Sequence, residues 1–278
     1  MAASRGEESV QLVPPTGTHP ILLSQLPTGS FISLDGYVDL HGNLVANTIE
    51  VEDREILEQN HLGFIGTVLP NSITRDANGD VSQFSLYISE SVPDSEFNVP
   101  EDSTVIVSLS SSTEYQISGR TTNFGGLPFD ATSIQEGQDV VVHGVFSKAG
   151  TASPTTVAAD KVYLKLQSHQ GTFSSLIAAG ADDKTGAFWL NSCSTLFAGA
   201  PILVLTNGPG GVLTSADQST NFVQTTFVNM TGLSALAPQP ALLVKGLLFY
   251  DRQGGVVNGV TVPPGTLVLL AKQVHELD

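Results

Sequence analysis

The chain has 278 residues, with 27 Asp and Glu against 11 Lys and Arg, for a formal net charge of −16. That balance argues against tracking a phosphate backbone or an anionic membrane surface, since either needs a basic stripe and none is visible. With 41% hydrophobic and 14% charged residues the chain can bury sizeable cores, and no run of about 18 apolar residues is present to span a membrane as a helix.

Residues 1–20 are polar and Pro-containing and read as an extended or disordered segment. The opening "MAASRGEESVQLVPPTG" lacks the apolar core of a signal peptide, so an export signal is expected to be absent from this chain. Residues 21–60 form an incomplete leading β unit: a hairpin over Leu22–Glu52, then the acidic "EVEDREILEQNH" (Glu50–His61), read as a short helical turn or linker. Residues 61–166 form a first barrel unit. It opens at "LGFIGTVLP" and turns at "DANGD" (Asp76–Asp80), where Asn78-Gly79 is a type I′ hairpin signal. It continues through "SQFSLYISE" and "STVIVSLSSSTEYQ", and closes with "SIQEGQDVVVHGVF" and "TTVAADKVYLKL".

Residues 167–278 repeat this order as a second barrel unit. Gly171 and Thr172 stand where Gly66 and Thr67 stood, Phe188 matches Phe84, and Phe222 matches Tyr115. The strands alternate at period two, and no amphipathic stretch of helical length and period is visible.

One hairpin signature occurs three times. An apolar strand runs to a glycine (Gly36, Gly144, Gly246), a second strand segment and a polar turn follow, and the copy closes on an alanine (Ala46, Ala159, Ala271). The copies recur at roughly a hundred residues, a domain period rather than the about 20 to 50 of a solenoid. Five short antiparallel strands around a long hairpin suit a small closed barrel of the OB type, and the glycine marks the bulge or kink such a strand needs. The expected fold class is therefore all-β: tandem small antiparallel OB-like β-barrels behind a leading incomplete β-hairpin unit.

The pattern GxV … FxL … VxV … Tx[Y/F] … GQxVxVxG … AxxV resembles an uncharacterised OB-like repeat family, a domain of unknown function of exported bacterial proteins and lipoproteins. Acidobacterial examples carry it in tandem, often behind an N-terminal β-rich domain. The resemblance covers about Leu22 to Leu277 and is tightest over Gly137–Lys165 and Gly171–Phe249. It implies the fold and export, and no catalytic residue. The chain departs from the family in two ways. The leading unit has only its last hairpin, which points to an upstream extension or borrowed strands. "LAPQP" (Leu236–Pro240) replaces the usual Gly-Gln turn in the third copy.

Candidate chemistry is sparse. None of His19, His41, His61, His143, His169 and His275 pairs with a second His or a Cys at short metal-ligand spacing, and His143 reads as a surface strand residue. "ESVPDSEFNVPED" (Glu90–Asp102) gathers carboxylates that suit calcium, but without the loop spacing calcium requires. There is no Gly-x-Ser-x-Gly elbow, and "TNGPGG" (Thr206–Gly211) lacks the Lys-Ser/Thr of a phosphate loop. Cys193, the sole cysteine, has no His near it in sequence and reads as a small buried or turn residue.

The expected function is an exported, non-enzymatic structural or interaction protein of the bacterial cell surface, secreted or in the envelope, with no catalytic residues, metal or cofactor. Its partner is itself or another envelope protein. Assembly into filaments or arrays would proceed by strand complementation, with Ser9–Leu23 as the donor segment. The alternative is an extracellular glycan- or peptide-binding module that uses Phe84, Tyr87, Phe188 and Trp189 as a stacking face; the competing reading of these rings is that alternate members fill the barrel cores.

Overall fold

The computed structural model describes residues 32–38, 44–51, 62–92, 102–117, 123–124, 126–147, 155–179, 185–197, 199–206, 220–223, 225–227, 229–257 and 259–277. The donor segment, His19, His41, His61, most of the acidic Glu90–Asp102 loop and nearly all of Thr206–Gly211 lie outside them.

Strands β1 (Ile32–Val38) and β2 (Leu44–Val51) form an antiparallel hairpin that is a two-stranded sheet of its own. The next nine strands are β3 (Leu62–Val68), β4 (Thr74–Arg75), β5 (Val81–Val92), β6 (Thr104–Ser108), β7 (Glu114–Ile117), β8 (Asn123–Phe124), β9 (Leu127–Pro128), β10 (Asp139–Ser147) and β11 (Thr156–Leu164). Five of these close a ring: β3 pairs β5, β5 pairs β6, β6 pairs β11, β11 pairs β10, and β10 returns to β3. Within the ring every pairing is antiparallel except β6–β11, and outside it β7 also lies parallel to β11.

The chain then repeats the arrangement with β12 (Leu166–Ala179), β13 (Gly186–Ser192), β14 (Ile202–Thr206), β15 (Asn221–Val223), the short helix α1 (Met230–Ala235), β16 (Ala241–Asp251), β17 (Gly255–Val257), β18 (Val260–Val262) and β19 (Thr266–Leu277). Here β12, β13, β14, β19 and β16 close the ring, with β14–β19 as the parallel pair. A three-strand meander joined to a hairpin, with the third strand parallel to the last, is the OB barrel. The chain is all-β and carries that barrel twice.

The three hairpins share one irregularity. The register shifts between Asp35 and Gly36, between His143 and Gly144, and between Lys245 and Gly246, and each glycine faces its copy's closing alanine. A Cβ on Gly144 would lie 2.2 Å from the Ala158 carbonyl oxygen, and one on Gly246 the same distance from that of Leu270. The bulge turns the strand so that one hairpin serves both sides of a narrow barrel, and only a residue without a side chain lets the partner backbone come so close.

The two barrels differ in how their strands are buried. On β6, Val105 and Val107 point inward and their neighbours do not, the alternation of a sheet with one covered face. On β14 all five residues are buried. Ile202 and Val204 join the interior of the second barrel with Phe188, Leu248 and Leu269. Leu203 and Leu205, on the opposite face, join Ala187, Phe249, Val268 and Leu270 in a cluster continuous with the core of the first barrel. The second barrel's outer wall is thus apolar and packs against the first. Its continuous runs "ILVL" and "TLVLLA" are what strands covered on both faces require. The β17–β18 hairpin adds Val257, Val260 and Val262 to the same cluster.

One local expectation is corrected, and one short element is added. The Asp76–Asp80 turn is not type I′, which needs positive φ at both central residues; only Gly79 is left-handed, at φ +86°. Asp76 decides the geometry: its Oδ1 accepts from the amides of Asn78 and Asp80, holding a longer loop that Gly79 closes. A helix is also present where no helical pattern is evident. α1 is only six residues long, is capped by Asn229 Oδ1 accepting from the Gly232 amide at 2.8 Å, and buries Met230 and Leu233.

Candidate functional site

The four aromatics of the expected stacking face do not share a face. Phe84 and Phe188 are 0% exposed and sit in the cores of the first and second barrel. Trp189, the next residue on β13, points the other way and packs against the cluster that joins the barrels. Only Tyr87 is exposed, at 38%, and its hydroxyl donates to Asp102 Oδ1 at 2.8 Å, which raises the phenol's pKa. The reason is parity: a strand turns successive side chains to opposite faces, so adjacent aromatics cannot form one platform.

The expectation that His143 lies on the surface is also corrected. It is buried, with its ring edge-on to Tyr163 at 5.2 Å. Of the remaining histidines, His275 is half-buried, and burial together with Lys245 lowers its pKa.

The polar chemistry of the described residues gathers instead where the barrels meet. The end of β3, the start of β10 and the start of β12 converge there with the loop that follows β13. Gln167 fastens the joint: its Nε2 donates to the Gly137 carbonyl at 2.8 Å, and its Oε1 accepts from the Asp139 amide at 2.8 Å. Gln138 does the same from the other side, donating to the Leu248 carbonyl of the second barrel at 2.9 Å. A third bond crosses between the barrels, where Arg252 Nη1 donates to the Gly79 carbonyl of the first barrel at 2.8 Å.

Beside this joint lies a cleft of about 370 Å³. Thr67 Oγ1 donates to Asp139 Oδ1 at 2.5 Å on one wall. Burial pushes the Asp139 carboxyl above its ordinary value, although the Thr67 hydrogen bond and nearby Lys165 pull the other way. His169 stands on the opposite wall, 6% exposed, with its ring 5.3 Å from that of Phe197. Burial alone lowers its pKa to about 4, so the ring is neutral near neutral pH, and its Nε2 has no hydrogen-bond partner. Cys193 lines the rim and is exposed, the turn alternative of its sequence reading rather than the buried one. Its amide donates to the Gln170 carbonyl at 2.9 Å, which places the thiol next to β12.

No family model matches the chain, and no curated protein matches it. Among solved structures, a deletion mutant of the single-stranded DNA binding protein from Thermus aquaticus is similar at 12% identity, with a TM-score of 0.25, over 78% of this chain and 94% of that one. The strand order, and not this likeness, identifies the barrels.

Among the described residues no three His, Cys, Asp or Glu side chains stand close enough to hold a metal ion, and no helix is long and apolar enough to cross a membrane. The cleft was not read from the sequence because its residues come from separate elements: Gly137 and Asp139 fall in the GQxVxVxG pattern and His169 and Cys193 were weighed singly, but no spacing joins them. One signal was available. His169 shares the parity of Gln167, Gly171 and Phe173 on one strand, and that parity marks a covered face.

Proposed function

We propose that this chain is an exported, non-enzymatic structural or interaction protein of the bacterial cell surface, and that copies associate by strand complementation. The observation that carries the reading is the third copy of the bulged hairpin. β10–β11 and β16–β19 each sit beside three partner strands, whereas β1–β2 has the same bulge and pairs only with itself among the described residues. A lone hairpin is marginal in water, so its two outer edges favour added strands. The barrels define the polarity of those strands: antiparallel beside β1, as β3 lies beside β10, and parallel beside β2, as β6 lies beside β11. The continuous apolar core of the two barrels supports the reading further, because a rigid body transmits geometry from copy to copy.

Nucleic acid is not proposed as a partner, because a net charge of −16 opposes it. Light scattering with negative-stain microscopy tests the reading. Fibres or arrays are expected, and removal of residues 1–23 abolishes them while the barrels stay folded. A 29.1 kDa monomer, or assembly unchanged by the deletion, refutes it.

A further inference from the structure

We infer that the cleft between the barrels is a binding site for a small, uncharged, hydroxyl-rich ligand of the saccharide class. The argument is independent of assembly and rests on what the walls offer.

The volume of about 370 Å³ falls within the range of small-molecule sites, about 300 to 1,000 Å³, though at its lower end. The site lies between two units joined by a continuous apolar core and by the Gln167 and Gln138 bonds, so its walls are preformed. Four ligand classes fit poorly. An anion meets the Asp139 carboxylate, with no Lys or Arg among the lining residues. A divalent metal finds no group of three ligands among the described residues. An apolar ligand finds Leu196 as the only large aliphatic side chain in a lining otherwise dominated by Ser, Thr, Gln and Asp. An aromatic or nucleobase finds no exposed ring to stack on, because Phe197 is buried under His169.

What remains matches hydroxyl groups. Ser168, Gln170 and Ser194 each both donate and accept, Asp139 accepts, and the neutral His169 ring bears no charge to be satisfied. A sugar hydroxyl likewise donates and accepts, so it can pair with each of these groups in turn. Ser168 and Gln170 sit on the outward parity of β12 and are exposed, so a ligand reaches them without opening the barrels.

Cys193 supplies the probe. As the sole cysteine, exposed at the cleft wall, it reports occupancy through its rate of alkylation by iodoacetamide. The full chain is titrated with maltose, cellobiose, N,N′-diacetylchitobiose, inorganic phosphate and glutamate. One neutral saccharide is expected to slow alkylation saturably, by about tenfold when present at about ten times its Kd. The effect is lost in Ser168→Trp, which fills the cleft from its exposed wall and leaves the circular dichroism unchanged. If that variant misfolds, the milder Gln170→Ala is used and is expected to weaken protection severalfold. No protection by any of the three sugars overturns the proposal. Equal protection by phosphate or glutamate overturns it as well, as does protection that both variants retain.

Discussion

The Gln167 side-chain amide donates to the Gly137 carbonyl at 2.8 Å, across the joint between the two barrels. The same side chain accepts from the Asp139 amide, so one glutamine satisfies two backbone groups that would otherwise be stranded at a covered junction. Replacing it with leucine keeps the bulk and strands both. Each unsatisfied group costs about 1–3 kcal/mol, so Gln167→Leu is expected to lower stability by about 2–6 kcal/mol. Urea unfolding measures the loss. An unchanged midpoint would show that the bond does not hold the joint.

The bulge glycines give a sharper contrast. Gly246→Ala places a Cβ 2.2 Å from the Leu270 carbonyl oxygen in the most heavily paired hairpin among the described residues, where backbone rather than a flexible side chain must move. A loss of about 3 kcal/mol or more is expected. Gly255→Ala is the control: nothing lies within 4 Å of its Cβ, so a change within about 1 kcal/mol is expected. Thermal melts of the two variants side by side check both, and equal melting temperatures would count against the bulge argument.

These glycines and their alanines could be read from the sequence because a bulge needs a residue type, and the residue type is visible. The strand order was also within reach, since period-two alternation with turns at even spacing leaves few topologies for five strands. The contact between the barrels was not. Leu203 and Leu205 look like ordinary core residues, and parity alone does not say that the opposite face, with Ile202 and Val204, is buried as well. The aromatic face failed for a related reason. Phe188 and Trp189 are adjacent, and adjacency on a strand means opposite directions. Cys193, Asp139 and His169 come from three separate elements, so nothing in their spacing announces the cleft.

His169 makes stability depend on pH. Its pKa is about 4 in the fold against 6.5 for the ordinary group, because burial opposes the charged ring. Between those values the unfolded chain binds a proton that the folded chain refuses, so stability falls as pH drops from 6.5 towards 4, by a total on the order of 3 kcal/mol. Asp139 acts in the opposite sense. Its pKa is raised, so the stability it contributes is present at low pH and is lost as pH rises through its folded pKa. His169→Phe is expected to flatten the decline between pH 6.5 and 4.5. Urea midpoints across that window measure it, and a slope unchanged from wild type excludes His169 as the cause.

Trp189 is the only tryptophan and packs against the cluster that joins the barrels. Its fluorescence therefore reports on the joint, while far-ultraviolet circular dichroism reports on all the strands. A continuous core predicts that the two signals trace one transition in urea. Two separated transitions would mean that the barrels unfold independently and that the apolar wall between them contributes little.

Tyr115 is the place where a substitution is expected to improve the protein. Its ring packs edge-on to Phe129 at 6.1 Å, but its hydroxyl is buried with no hydrogen-bond partner, and burial with Asp130 and Asp80 nearby pushes its pKa to about 12. The second barrel holds Phe222 at the corresponding position: Tyr115 pairs Val162 on the hairpin's second strand, as Phe222 pairs Val274. Removing a stranded hydroxyl from a site whose counterpart does without one recovers part of its desolvation cost. Tyr115→Phe is expected to raise stability by up to about 1 kcal/mol. Differential scanning calorimetry at neutral pH measures the shift in Tm, and a drop instead would mean that the hydroxyl is paired in solution, through a water or a loop side chain.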